Sequence, residues 1–250
     1  MRRCLYQEFY KFRHQKTPWY GIIVLLLLML YTAVMEGTTP KTITMGFGMG
    51  QWISIVLSAV GSICFGMEYQ NRTISTLFYK NLHKRNIFLS KLIVLITYDF
   101  VLIFVDILAT FILKLIMVPG KYQWVTFTYI HKSLLNGLLM TIIGSLGLTL
   151  LIISIIVCLI CLIKVSSVAI SLGLLLVFLG QGLSGALVAT FGGGLLKWNP
   201  LNMINIIGQL LNPSFFAITH LTDPQLIWGT IFYIVFFLML GYLFFKQRRA

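Results

Sequence analysis

Three charged side chains recur at near-regular spacing within an apolar stretch, residues 92–118. Asp99, Asp106 and Lys114 lie seven and eight residues apart, which places them on roughly one face if the stretch is a helix. A charge near the centre of a bilayer costs at least about 2.5 kcal/mol, so such side chains face protein or water. Asp99 and Asp106 are therefore candidates for lining a substrate path or a protomer interface. The alternative is structural pairing with a neighbouring helix, and for Lys114 that interpretation is favoured because its long side chain can reach the interface.

A second concentration of charge separates two apolar runs, and we call residues 68–91 the charged segment. Its apolar residues follow the i, i+3, i+4, i+8 stripe of an amphipathic helix: Ile74, Leu77, Phe78 and Leu82. Lys80 lies off that stripe, and Asn71 and Thr73 can cap the start of the helix. The pattern predicts a short cytosolic helix that docks into a groove of a partner protein.

Motifs for catalysis and for nucleotide or metal binding are missing from the sequence. It has no G-x-x-x-x-G-K-[ST] phosphate loop, so we expect no ATP hydrolysis by this chain. It has no metal-binding or nucleophile motif of the common hydrolases either. Cys158 and Cys161 have redox-motif spacing, but within an unbroken apolar run they are interpreted as two small buried side chains. We therefore expect no catalytic residue, cofactor or metal in this chain.

The composition is that of an integral membrane protein. Hydrophobic residues make up 58% of the 250 residues, charged residues only 10%, and the mean hydropathy is +0.92. Soluble domains carry about a quarter charged residues. The net charge of +13 would indicate nucleic acid in a soluble protein, but here it is better explained by basic loops that stay in the cytoplasm.

Six apolar runs are long enough to cross a bilayer as helices. They are residues 19–35, 49–67, 92–118, 134–163, 165–191 and 226–245. Residues 1–17 carry an apolar stripe of Leu5, Phe9 and Phe12 and are expected to form an interfacial helix. Residues 192–225 are apolar but broken by glycine and proline, and predict re-entrant or interfacial helices on the outer face. The expected fold is an all-α membrane bundle in one domain, surrounded by lipid.

The distribution of Lys and Arg gives an orientation. Six spans place both termini on one side, together with the charged segment and the turn at Lys164. The opposite side holds five of the 19 Lys and Arg residues: Lys41, Lys114, Lys121, Lys132 and Lys197. Because basic residues are retained in the cytoplasm, both termini are expected to be cytoplasmic.

The charged segment resembles the type-2 permeases of ABC exporters. The resemblance lies in a glutamate after the second span, an N/G-x-T pattern, and R-x-x-F-x-x-K leading into the third span. The matching residues are Glu68, Asn71, Thr73, Arg85, Phe88 and Lys91. Arg72 stands where the family usually has glycine, and the usual proline before the arginine is missing. Residues 8–13, EFYKFR, are similar to the start of bacteriocin-immunity and peptide-export permeases.

The resemblance implies a complex and a mechanism. Two permease protomers, identical or related, would associate with two ATP-binding cassette subunits that bind ATP and Mg²⁺. The helix at about residues 71–84 would sit in a groove of the ATPase, and Glu68 would fix the charged segment to the bundle. Glu68 beside Arg72 and Arg85 can also form a local ion pair. The implied function, in a bacterial cell membrane, is export of amphipathic or hydrophobic peptides such as toxins or bacteriocins, or immunity to them.

Other functions remain compatible with the sequence. An ion-coupled secondary transporter or channel would use Asp99 and Asp106 and need no ATPase. It would be supported by internal repeats, and we find no clear repeat between the two halves of the sequence. A membrane-embedded enzyme would need a catalytic constellation, and none is visible. A non-transporting immunity or scaffold protein also fits, and lipids or drugs are alternative substrates.

Overall fold

Six long helices account for most of the chain. The computed structural model describes residues 2–70, 84–130, 132–191 and 194–247, without the side chains of residues 68–70, 191 and 195. Six of the described helices are long and apolar enough to cross a membrane, as predicted. They are α2 (Thr17–Met35), α4 (Met49–Gln70), α5 (Lys84–Met117), α6 (Leu134–Ile163), α7 (Ser166–Phe191) and α10 (Asp223–Lys246).

Shorter elements lie before and between these helices. They are α1 (Arg2–His14), α3 (Pro40–Thr44), α8 (Ile206–Leu211), α9 (Phe216–Thr219), and 3-10 turns at Leu195–Trp198, Asn202–Asn205 and Pro213–Phe215. A small antiparallel hairpin joins β1 (Thr128–Tyr129) to β2 (Lys132–Ser133), with Thr128 opposite Ser133.

The centre of the bundle is formed by α4 and α6. In their most apolar windows 72% and 67% of the residues are buried, against 22–33% in the other four long helices. α6 has no charged residue and packs against α4, α5, α7 and α10. α7 lies so close to α4 that a Cβ atom on Gly173 would be only 2.9 Å from Ser58 Oγ. Small residues thus let the two helices pack closely, which lipid surroundings alone would not bring about.

Helices α5 and α10 begin well before the apolar runs predict. α5 starts at Lys84, about two turns before Leu92, because its first turns are amphipathic: Phe88 is buried and Arg85 is exposed. α10 starts at Asp223, since Thr222 and Gln225 form a capping box ahead of the apolar residues.

Contacts place both termini at the same end of the bundle, which we call the terminal end. Lys84 Nζ donates a hydrogen bond to the carbonyl of Lys246 at 3.2 Å, and Gly66 near the end of α4 lies against Ser166 at the start of α7. The short elements α3, α8 and α9 lie at the opposite end, where α3 and α8 pack on the first half of α6. This agrees with six consecutive crossings.

Residues 194–222 fold into short helical turns at the opposite end. Two buried amide side chains hold them: Asn202 Nδ2 donates to the carbonyls of Lys197 and Thr219 at 2.7 and 2.9 Å, and Gln209 Nε2 donates to the carbonyl of Leu221 at 2.7 Å. These bonds satisfy backbone carbonyls that water does not reach. The expected short helices are present, and their depth in a bilayer stays a prediction.

The N-terminal helix packs on the bundle with a face that is offset from the predicted apolar stripe, and its place in the membrane interface stays a prediction. α1 buries Cys4 and Glu8, and Phe12 packs against the core, whereas Phe9 of the predicted stripe is 36% exposed. The stripe was chosen for its apolar residues, but a charged residue, Glu8, occupies the centre of the buried face. A buried partner for Glu8 explains this difference.

We predict that the terminal end faces the cytoplasm. In a variant whose four native cysteines are replaced, a cysteine at exposed Lys121 should react with a membrane-impermeant maleimide on intact cells. A cysteine at exposed Gln247 should react only after permeabilisation. The reverse labelling pattern would show that the bundle is inserted the other way round.

Candidate functional site

The structure describes part of the predicted coupling set. Arg85 is exposed on the first turn of α5, and Phe88 and Lys91 are buried, with exposed fractions of 3% and 2%. The backbone of Glu68 lies in the last turn of α4. The remaining predicted residues lie outside the described residues: Asn71, Thr73, Ile74, Leu77, Phe78, Lys80 and Leu82.

Lys91 forms a buried ion pair with the N-terminal helix. Its Nζ lies 2.9 Å from Glu8 Oε2 and donates to the carbonyl oxygen of Cys64 at 3.1 Å. The other carboxylate oxygen of Glu8 lies 3.2 Å from Lys11 Nζ. An ammonium group removed from water requires such partners, because an uncompensated buried charge is costly. The pair therefore ties α1, α4 and α5 together at the terminal end.

The electrostatics of Glu8 follow from this arrangement. Burial raises the pKa of its carboxyl, but the positive charges and hydrogen bonds of Lys91 and Lys11 lower it by more. The net pKa of Glu8 is below its ordinary value, so Glu8 is ionised at neutral pH. Glu8 thus provides a negative charge 2.9 Å from Lys91 Nζ at that pH.

Phe88 joins a further helix to the same place. Its ring centroid lies 5.8 Å from that of Phe65 in α4, and 5.6 Å from those of Tyr242 and Phe245 in α10. Such edge-to-face and tilted aromatic contacts add to the stability gained by burial. The start of α5, which forms the last part of the charged segment, is thus held by α1, α4 and α10. We call Glu8, Lys91, Phe65, Phe88 and Phe245 the anchor cluster.

Asp99 and Asp106 lie deeper in the bundle. Both are fully buried on one face of α5, as their spacing predicts. Asp99 Oδ2 accepts a hydrogen bond from Thr149 of α6 at 2.9 Å, and Asp106 Oδ1 accepts one from Thr110 at 3.4 Å. The carboxyls therefore point into the chain's own core, between α5 and its neighbours.

Lys114 ends the same face of α5 at the opposite end. It is 8% exposed, and its Nζ lies 3.8 Å from the ring centroid of Trp124, a cation–π contact. A cavity of about 550 Å³ adjoins it, lined mainly by apolar residues of α5 and the following loop, among them Phe111, Leu115, Val118 and Pro119. Trp124 is thus a structural partner of Lys114 that the sequence did not identify.

Sequence reasoning also missed the Glu8–Lys91 pair. Both residues were named, Glu8 in the N-terminal motif and Lys91 in the coupling set, but nothing connected them. The available signal was a helical repeat of Cys4, Glu8 and Phe12, in which the glutamate lies between two residues that pack inward. The partner could not be selected from 19 basic residues without the fold.

Breaking the anchor cluster should destabilise the protein. Removing one member of a buried ion pair leaves the other charge uncompensated, so Glu8→Gln and Lys91→Met should each lower the free energy of unfolding by about 3–5 kcal/mol. The double variant should lose less than the sum of the two. Thermal unfolding of the purified protein measures this.

Lys11→Met is the matched control. The Lys11 side chain is 48% exposed, so its loss should cost under about 1 kcal/mol.

The lowered pKa of Glu8 also predicts that the stabilisation by the pair is present above the ordinary glutamate pKa of 4.5 and disappears as the pH falls through the lowered value. Glu8→Gln should remove this acid dependence; equal effects of Lys11→Met and Lys91→Met would contradict the assignment.

Comparison with known proteins agrees with this architecture. A family model described as "ABC-2 family transporter protein" matches residues 4–180, which covers most of α1 through most of α7, including the charged segment and every member of the anchor cluster except Phe245. No curated protein matches the chain. With six apolar helices and a match over most of its length, this multi-pass membrane protein belongs to the ABC-2 transporter family.

Proposed function

We propose that this chain is the permease subunit of an ATP-driven exporter in a bacterial cell membrane. ATP would be bound and hydrolysed, with Mg²⁺, by separate ATP-binding cassette subunits, in two copies beside two permease protomers. Family membership and the lack of a phosphate loop in the sequence support this division of labour. Both termini and the charged segment would face the cytoplasm.

The observation that carries the proposal is the anchor cluster. The last residues of the charged segment form the first turns of α5, which are bound to α1 by the ion pair and to α4 and α10 by aromatic packing. A displacement of the segment by an ATPase would therefore be passed to several helices at once. α5 is 34 residues long, about 51 Å at 1.5 Å per residue, so it can carry the displacement to the opposite end.

The coupling residues divide into two groups. Those proposed to contact the ATPase groove are Ile74, Leu77, Phe78, Lys80 and Leu82, with Asn71 and Thr73 capping the helix and Glu68 fixing its start. Arg85 is exposed and available to the same partner. Lys91, by contrast, is enclosed by Glu8 and Cys64, so its role in coupling would be to anchor α5.

The second protomer and lipid share the exposed apolar faces. α2 presents Leu27, Val34 and Met35 with exposed fractions of 60–68%, and α10 presents Trp228, Phe232 and Met239 with 62–69%. Apolar surfaces of this extent are compatible with lipid or with another helix bundle. Whether the two protomers are identical is left open by the proposal.

The proposed substrate is an amphipathic or hydrophobic peptide, such as a toxin or bacteriocin; a role in immunity follows if the exported peptide acts on the cell that makes it. The basis is the resemblance of residues 8–13. The structure gives Glu8 of that motif an architectural role, through Lys91, so this residue by itself says little about substrate. The apolar interior of the bundle supports the proposal independently.

Replacing the apolar face of the coupling helix should detach the ATPase. Leu77→Asp combined with Phe78→Asp places two charges on the surface proposed to enter the groove. We expect an ATP-binding cassette subunit to copurify with the wild-type protein and to be lost with this variant. Affinity purification from the native membrane with mass spectrometry is the measurement.

Val125→Asp is the matched control for that experiment. Val125 is 74% exposed in the loop at the opposite end, so the same type of substitution there should leave the ATPase bound. Stable purification of the wild-type protein without an ATPase would refute the exporter, and would favour an ion-coupled transporter using Asp99 and Asp106.

Transport of peptide should require ATP. Inside-out vesicles that contain this chain and its ATPase should accumulate a labelled amphipathic helical peptide in the presence of ATP, and not with a non-hydrolysable analogue. A hydrophilic peptide of equal length is the control. ATP-dependent movement of a fluorescent phospholipid, with none of the peptide, would identify a lipid exporter instead.

A further inference from the structure

The two aspartates in the core of the bundle each have an oxygen without a hydrogen-bond partner. Among the described residues, no donor lies within hydrogen-bonding distance of Asp99 Oδ1 or Asp106 Oδ2. Both side chains are fully buried. Each carboxyl therefore receives one hydroxyl hydrogen bond, from Thr149 and from Thr110, which is far less than an ionised carboxylate requires.

Among the residues that the structure describes, no counter-ion faces these carboxyls from the surrounding helices. α2 and α6 contain no charged side chain, and neither does α4 between Met49 and Met67. In α1, Glu8 pairs with Lys91 and Lys11 two turns from Asp99. The other basic side chains of this helix and its histidine are exposed: Arg2, Arg3, Arg13 and His14. α10 carries its charges at its ends, at Asp223 and Lys246. The titratable Tyr98 donates its hydrogen bond to the carbonyl of Pro18.

The charged groups of α5 itself are also engaged elsewhere. Lys91 contacts Glu8 and Cys64, and Lys114 lies over the Trp124 ring. Lys114 and Asp106 are eight residues apart, about 12 Å along a helix. Neither lysine forms a salt bridge with Asp99 or Asp106 within the described part of the chain.

The turn before α4 is shaped to accept the Asp106 carboxyl. Gly46, Phe47 and Gly48 all have positive φ angles, of 54°, 49° and 93°, and Phe47 is fully buried. A Cβ atom on Gly46 would lie 3.2 Å from Asp106 Oδ1. Glycine at this position therefore provides both the backbone conformation and the space beside the carboxyl.

We propose that Asp99 and Asp106 form an intramembrane proton-binding pair, each carrying a proton in this conformation. In a low-dielectric core with no counter-ion, the neutral acid is the form that burial favours. Ionisation requires water or a cation to reach the carboxyls, and therefore a separation of α5 from α6 and from the Gly46 turn. Deprotonation thus favours a conformation that opens this interface, whether or not the ATPase partner is the one proposed above.

The protonation state can be read on the wild-type protein. The chain contains three aspartates, Asp99, Asp106 and Asp223, so selective ¹³C-labelling of aspartate side chains gives three carboxyl signals by NMR in lipid nanodiscs. The signal of Asp223, which is exposed, is the internal reference. We expect the signals of Asp99 and Asp106 at the protonated position at neutral pH. An ionised signal from Asp99 or Asp106 at neutral pH would overturn the proposal.

Asparagine variants assign the signals and test the consequence. Asp99→Asn and Asp106→Asn mimic the neutral acid, and each should remove one protonated signal. Because the folded protein retains protons that the unfolded chain releases, the unfolding equilibrium constant of wild type should rise about tenfold per pH unit for each carboxyl as the pH increases above the ordinary aspartate range. The double asparagine variant should lose this slope.

Glu36→Gln is the control. Glu36 is an exposed acidic side chain directly after α2, at the same end of the bundle as the Gly46 turn. It should leave the slope unchanged. A pH slope in the double variant equal to that of wild type would overturn the proposal, and so would an Asp→Asn change that destabilises the protein at every pH by the same factor. These readouts do not require transport activity, so they stand apart from the test of the exporter.

Discussion

The buried ammonium group of Lys91 constrains the whole terminal end of the bundle. A lysine that is 2% exposed must have an anionic partner or lose its charge, and Glu8 of the N-terminal helix provides that partner at 2.9 Å. This requirement determines which face of α1 turns inward, and so where Cys4 and Phe12 pack. It also fixes the first turns of α5, beside which Phe88 brings α4 and α10 together. The part of the charged segment that lies in α5 is consequently fixed to α1, α4 and α10.

The sequence predicts best those features that depend on the composition of one segment. Run length alone located six spans, and the bounds of α6, Leu134–Ile163, agree with the prediction because the flanking Ser133 and Lys164 are polar. Amphipathic ends were harder: the start of α5 was placed at Leu92 rather than Lys84, since the buried Phe88 stands among polar residues. The Glu8–Lys91 pair joins residues 83 positions apart, and no local pattern selects it among many basic residues. Seven coupling residues lie outside the described part of the chain, so that prediction still rests on sequence.

The opposite end of the bundle is built largely from irregular backbone. Residues 194–222 are too interrupted by proline to span, yet too apolar to remain as a free loop, so they pack against α6, α7 and α10. Backbone carbonyls that have no helical partner and lie away from water need hydrogen-bond donors. The side-chain amides of Asn202 and Gln209 supply these. An isolated asparagine or glutamine in an apolar segment is thus a signal of irregular backbone nearby, which could have refined the sequence prediction. Ser184 extends the same network to α7 by donating to Asn202.

The contrast between the charges along α5 has a mechanical consequence. On one face of this helix, Lys91 pairs with a carboxylate and Lys114 with an aromatic ring, while Asp99 and Asp106 between them receive only hydroxyl hydrogen bonds. A continuous helix moves as a unit, so a shift that strains the Lys91 anchor also changes the surroundings of both carboxyls. The ends of α5 are stabilised as they stand, whereas its middle has oxygens that would gain partners on exposure to water. Opening the interface between α5, α6 and the Gly46 turn would therefore give these carboxyl oxygens hydrogen-bond partners that they lack in this conformation.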